Sequence, residues 1–118
     1  MRKNNRLNGE IMELDCRYVL HIPLSKWEND ELVVLDIDSE IDELINQLEV
    51  EGFGSFYITK VESFYKTRRY DEILITIFAA DGDGPHEIFK NWFNAHNDVL
   101  SQEAFSFEFN NSMFIEKF

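Results

Sequence analysis

Apolar and polar positions alternate along residues 16–24, CRYVLHIPL, where Tyr18, Leu20 and Ile22 lie opposite Arg17, Val19 and His21. Alternation of this kind predicts a strand, and Pro23 ends its ladder because it has no N–H to donate. Residues 25–38 read as a connector whose middle, LVVLDI, fits either a short strand or a segment lying along the core edge. Over 39–51 the period lengthens: Ile41, Leu44, Ile45 and Leu48 follow the i, i+3, i+4, i+7 rule and predict a helix. Ser39 is its expected N-cap with Asp42 three residues on, and Gly52 is its expected left-handed stop.

The period returns to two from Ser55 to Ala79. SFYITKVESFYK sets Tyr57, Thr59, Val61, Ser63 and Tyr65 against Phe56, Ile58 and Phe64, TRRYDE turns the chain, and ILITIFAA brings it back. Two such runs around a short polar link predict an antiparallel hairpin, with the return strand inside the sheet because it is apolar on both faces. Pro85 suits a first helical position, and Ile88, Phe89, Trp92, Phe93 and His96 continue a second amphipathic helix to about Leu100. QEAFSFEFN then alternates strictly, with Phe105, Phe107 and Phe109 on one side, and the tail NNSMFIEKF is expected to cover an edge or reach a neighbouring subunit.

Strand, helix, strand, strand, helix, strand is the order of the split βαβ, so the expected fold is α+β and ferredoxin-like (βαββαβ). A four-stranded antiparallel sheet would carry two helices on one face. Residues 1–10 read as a flexible leader and 11–118 as a single domain, a size sufficient for one core. Strands this apolar are expected to leave a face that a second copy covers, giving a homodimer.

Charge changes the picture more than composition does. Between Glu28 and Glu51 stand ten carboxylates and no Lys or Arg, and they drive a formal net charge of −12. Without Arg2, Lys3 and Arg6 of the leader, eight basic residues face 23 acidic ones. Such a surface repels phosphates, so binding to nucleic acid or to an anionic membrane is not expected. Aromatic residues make up 14% of the chain, which places the charge on a folded body rather than on a disordered acidic tail. A single cysteine, Cys16, excludes an intrachain disulfide framework, and no apolar run approaches the roughly 18 residues of a membrane span. A cytoplasmic protein follows as the expectation.

Candidate chemistry is sparse. DGDG at 81–84 has the look of a calcium loop, but Pro85 and Trp92 occupy positions where an EF-hand needs oxygen ligands, so a turn ahead of a helix is expected instead. Cys16 and His21 are five apart on one strand and point to opposite faces, which rules them out as joint ligands. His86 near Asp83 is the one pair with an acid–base look, and Lys66 is expected to pair with Glu72 across the hairpin. A small enzyme would have to use His86 or His96, and no acid, base and nucleophile assemble around either.

The sequence therefore points to a non-enzymatic binding protein with no cofactor, no metal and no catalytic residue. The expected role is an inhibitor or immunity-type protein that meets a basic protein partner, such as a nuclease toxin, through Trp27, Glu28, Asp30, Glu31, Asp36, Asp38 and Glu43. The alternative is a dimeric ferredoxin-like ligand-binding or regulatory module.

Overall fold

A computed structural model of the chain describes residues 2–6, 9–80 and 82–118, with residues 2–12 described through their backbone alone. β1 (Arg2–Arg6) pairs antiparallel with β2 (Gly9–Glu13) in a two-stranded ladder. The stretch expected as a leader thus contributes strands, and its positions 1, 7 and 8 lie outside the described residues. β3 (Cys16–Pro23) follows, and then the expected connector forms a second small ladder of β4 (Ser25–Glu28) and β5 (Glu31–Val34). Its two-residue turn uses Asn29 and Asp30 at φ 51° and 61°, a left-handed region that Asn and Asp tolerate better than most residues.

Helix α1 (Asp38–Val50) buries Ile41, Leu44 and Leu48 on one stripe and leaves Glu43 exposed. Its cap differs from expectation. The N-cap is Ile37, itself buried, and Ser39 lies inside the first turn with its hydroxyl donating to Glu40. Burial of Leu35 and Ile37 fixes where the chain enters the helix, and the polar capping signal yields to it. Gly52 adopts φ 92° at the other end, as expected.

β6 (Phe56–Tyr65) and β7 (Arg68–Ala79) form the long hairpin, α2 (Pro85–Leu100) the second helix, and β8 (Ala104–Phe109) and β9 (Ser112–Lys117) a closing hairpin. The large sheet is antiparallel, in the order β6-β7-β3-β8-β9. It has five strands where four were expected, because the C-terminal segment covers the edge of β8 by pairing with it as a further strand. Asn110 makes this possible. At φ 51° it turns the chain, its N–H donates to the Arg17 carbonyl at 2.7 Å, and its side-chain oxygen accepts from the Arg17 N–H at 2.8 Å.

One sheet face holds the core. Tyr18, Leu20 and Ile22 from β3, Ile73, Ile75 and Ile77 from β7, and Phe105 from β8 are buried against Leu44, Leu48, Phe89, Trp92 and Phe93 of the helices. The Trp92 indole N–H donates to the Glu40 carbonyl at 2.7 Å and ties one helix to the other.

The β6–β7 turn is strained. Lys66 and Thr67 stand at φ 50° and 66°, and a β-branched side chain there costs about 1–2 kcal/mol. Thr67→Gly is expected to raise stability by about 1 kcal/mol in urea denaturation; unchanged or reduced stability would contradict the strain.

Candidate functional site

The face of the sheet away from the helices carries a row of three polar side chains on interior strands. Parity along β3 sends Arg17, Val19 and His21 to this face and Tyr18, Leu20 and Ile22 to the core. Register then brings in the neighbours. His21 lies opposite Leu74 of β7 and Ser106 of β8, so Glu72 and Glu108 stand diagonally from it, one on either side. The His21 Nε2 is 2.7 Å from Glu108 Oε2, and its Nδ1 is 3.4 Å from Glu72 Oε2. Arg17 extends the row, with Nη1 3.9 Å from Glu108 Oε1.

The row is desolvated yet reachable. Side-chain exposure is 14% for His21, 18% for Glu72 and 29% for Glu108, while Val19 and Thr76 beneath are buried. Around it on the same face stand the exposed side chains of Tyr57, Phe78, Met113 and Ile115. Burial works against the His21 imidazolium, but hydrogen bonds to Glu72 and Glu108, and then their charges, outweigh it, so its pKa lies above the ordinary 6.5. A raised value in the fold means that His21 stabilises the protein fully below about pH 6.5, a contribution lost as pH rises through the folded value. The melting-temperature gap between the wild type and His21→Gln is therefore expected to narrow from pH 5.5 to pH 8.5. A gap that does not change with pH would contradict this.

Glu72 was expected to pair with Lys66. Lys66 instead sits in the turn with its ammonium 5.3 Å from the Tyr65 ring centroid, and the cross-strand partner of Glu72 is Val61, so the carboxylate turns toward β3.

The other sequence candidates lie elsewhere. Tyr18 and Phe107 stack against His86 at 5.4 and 5.3 Å, and its Nδ1 is buried without a hydrogen-bond partner. Asp83 accepts from the Ala80 N–H through its carboxylate and from the Tyr18 hydroxyl through its carbonyl, so it staples the loop ahead of α2. Asp81 of the DGDG motif lies outside the described residues. Among the described residues no group of three or more His, Cys, Asp and Glu is arranged to hold a metal ion.

The first part of the acidic run meets the basic hairpin tip of the same chain. Trp27 donates its indole N–H to the Arg69 carbonyl at 3.1 Å, and the Arg68 guanidinium lies 4.8 Å from its ring centroid. Asp30 bonds Arg68 at 3.0 Å and Glu28 lies 3.6 Å from Lys26. Glu31, Asp36 and Asp38 are exposed, and Glu43 stands 3.3 Å from His96. No helix among the described residues is long and apolar enough to cross a membrane.

No family model and no curated protein matches the chain. A solved structure does: a phage SAM lyase in complex with S-methyl-5′-thioadenosine, with a TM-score of 0.52 over 96% of this chain and 97% of that one, at 12% identity. The likeness is one of fold, and that fold serves an enzyme. It overturns the expectation of a non-enzymatic inhibitor or immunity-type protein, and with it the reading of the chain as no enzyme. Linear spacing along the chain does not reveal the row of His21, Glu72 and Glu108, which strand register assembles.

Proposed function

We propose that this chain is an enzyme that cleaves a sulfonium compound of the S-adenosylmethionine type, releasing S-methyl-5′-thioadenosine, at the row of Glu72, His21 and Glu108. The observation that carries the reading is the pair of carboxylates held at 3.4 and 2.7 Å from one imidazole on the face away from the helices. The fold likeness to a lyase seen with that thioether supports it. The substrate is cationic at sulfur, and a chain of net charge −12 draws cations toward its surface.

In such a cleavage the electron pair of the broken C–S bond passes to sulfur, and the sulfonium becomes a neutral thioether. A lyase adds no water, so the carbon that leaves sulfur is closed from within its own fragment, by that fragment's carboxylate or by loss of a neighbouring proton. Glu72 and Glu108 suit both routes, since they hold the cation in place and one of them accepts a proton where one is lost. Exposed Tyr57 and Phe78 on the same face offer flat apolar surfaces to the adenosine.

We also read the architecture as ferredoxin-like, with β9 added at one edge: β8, β3, β7 and β6 lie in the order that the split βαβ requires. A cytoplasmic location and a homodimer belong to the same proposal, the second copy packing on Met113 and Ile115 of β9 and leaving Tyr57 and Phe78 to the ligand. The test is incubation of the purified protein with S-adenosylmethionine, followed by chromatography and mass spectrometry. Time-dependent S-methyl-5′-thioadenosine supports the reading, and an unchanged substrate at high protein concentration overturns it.

A further inference from the structure

The polar row is electrically complete before any ligand arrives, and this bears on how the site proposed above would admit a cation. When His21 is protonated both ring nitrogens donate, one toward Glu72 at 3.4 Å and one toward Glu108 at 2.7 Å. Arg17 lies 3.9 Å from the other oxygen of Glu108. Two carboxylates are then matched by two resident cations. Among the residues whose side chains are described, the other titratable groups on this face stand outside the row: Arg68 of β7, paired with Asp30, Tyr70 beyond Glu72, Tyr57 and Tyr65 on β6, and Lys117 at the far end of β9, opposite Ala104. The residues of β6 nearest Glu72 and Leu74 are Val61 and Thr59, which carry no charge.

A third cation brought to this mostly desolvated row would leave it with an uncompensated positive charge, an expensive state away from water. A guanidinium keeps its charge, so of the two resident cations the imidazolium is the one that can give up a proton. We infer that a cationic ligand and the His21 proton compete for Glu72 and Glu108, so that binding of the ligand expels the proton. The exchange balances. The imidazolium gives one proton to solvent, keeps one N–H for a carboxylate, and the ligand's positive charge takes the place of the one lost. It follows that affinity for a cation falls with acidity, by up to about tenfold per pH unit below the His21 midpoint.

This inference rests on the functional reading above, and its test separates the two. The midpoint of the His21 ring signals is followed by NMR in the full chain, alone and with two saturating probes. Sinefungin carries a protonated amine where the sulfonium sits and has no C–S bond to break there, and S-methyl-5′-thioadenosine is neutral. A midpoint lowered by about one unit or more with sinefungin, and unmoved by the thioether, is the expected result. The affinity of sinefungin is likewise expected to lose its dependence on pH between 6 and 8 in His21→Gln. If sinefungin shifts amide signals around the row while the His21 midpoint stays in place, the competition is wrong and the lyase reading stands on its turnover assay. A lowered midpoint in a protein that leaves S-adenosylmethionine intact would overturn the lyase reading alone. If neither probe disturbs any signal, both fall.

Discussion

Replacing Glu108 by Gln is expected to lower the rate of S-methyl-5′-thioadenosine release by roughly 10²–10⁴-fold, the range typical for loss of a positioned acid–base group. Glu108 makes the shortest contact of the row, 2.7 Å to His21, and it is the carboxylate that Arg17 also approaches. Glu72→Gln should act in the same direction and less strongly, because its contact is longer at 3.4 Å. Glu62→Gln is the matched control. Glu62 lies on a β6 strand of the same sheet but pairs with Arg69 at 3.0 Å on the face that holds the helices, so turnover should be unchanged. Glu108 is partly exposed, and the variant should stay folded with a stability change within about 1 kcal/mol. Full turnover by a folded Glu108→Gln protein would remove the row from the chemistry.

Phe89→Ala is expected to cost about 3–5 kcal/mol of stability. The side chain is fully buried. Its ring meets Phe93 and Phe105 edge-on at 5.6 and 5.8 Å and lies 6.1 Å from Trp92, so it joins α2 to β8. Truncation leaves a void lined by rings from the next turn of α2 and from β8, which cannot close over it together. Denaturant titration measures the loss, and a change under about 1 kcal/mol would mean that the helix packs differently on the sheet.

The parts of this fold governed by local periodicity were legible in the sequence. Ile41, Leu44 and Leu48 mark α1, and the alternation of Phe105, Phe107 and Phe109 marks β8, because each pattern reports one buried face. What pairing decides was less visible. The segment around Met113, Phe114 and Ile115 has three apolar residues in a row and no period, and its strand exists because Asn110 turns it back along β8. The β4–β5 ladder hid in an acidic connector, its turn signal being Asn29–Asp30.

The candidate site was the least legible part. Glu72 and Glu108 lie 51 and 87 positions after His21, and only register makes the three neighbours. A usable signal was present nonetheless: each is an ionisable residue within an interior strand whose other residues are largely apolar. Burying such groups is costly unless they are paired, so three of them on adjoining strands point to one another. The acidic run is the more prominent feature of the sequence, although two of its residues, Asp30 and Glu28, engage the chain's own Arg68 and Lys26.

A crystal structure of the chain with sinefungin tests most directly whether the proposed catalysis belongs to the sheet face away from the helices. The expected result is the ligand's amine within hydrogen-bond distance of Glu72 or Glu108, with the adenosine against Tyr57 or Phe78. A ligand seated instead between the helices, against Asn46, Gln47 and Asn91, or beside His86, would contradict it.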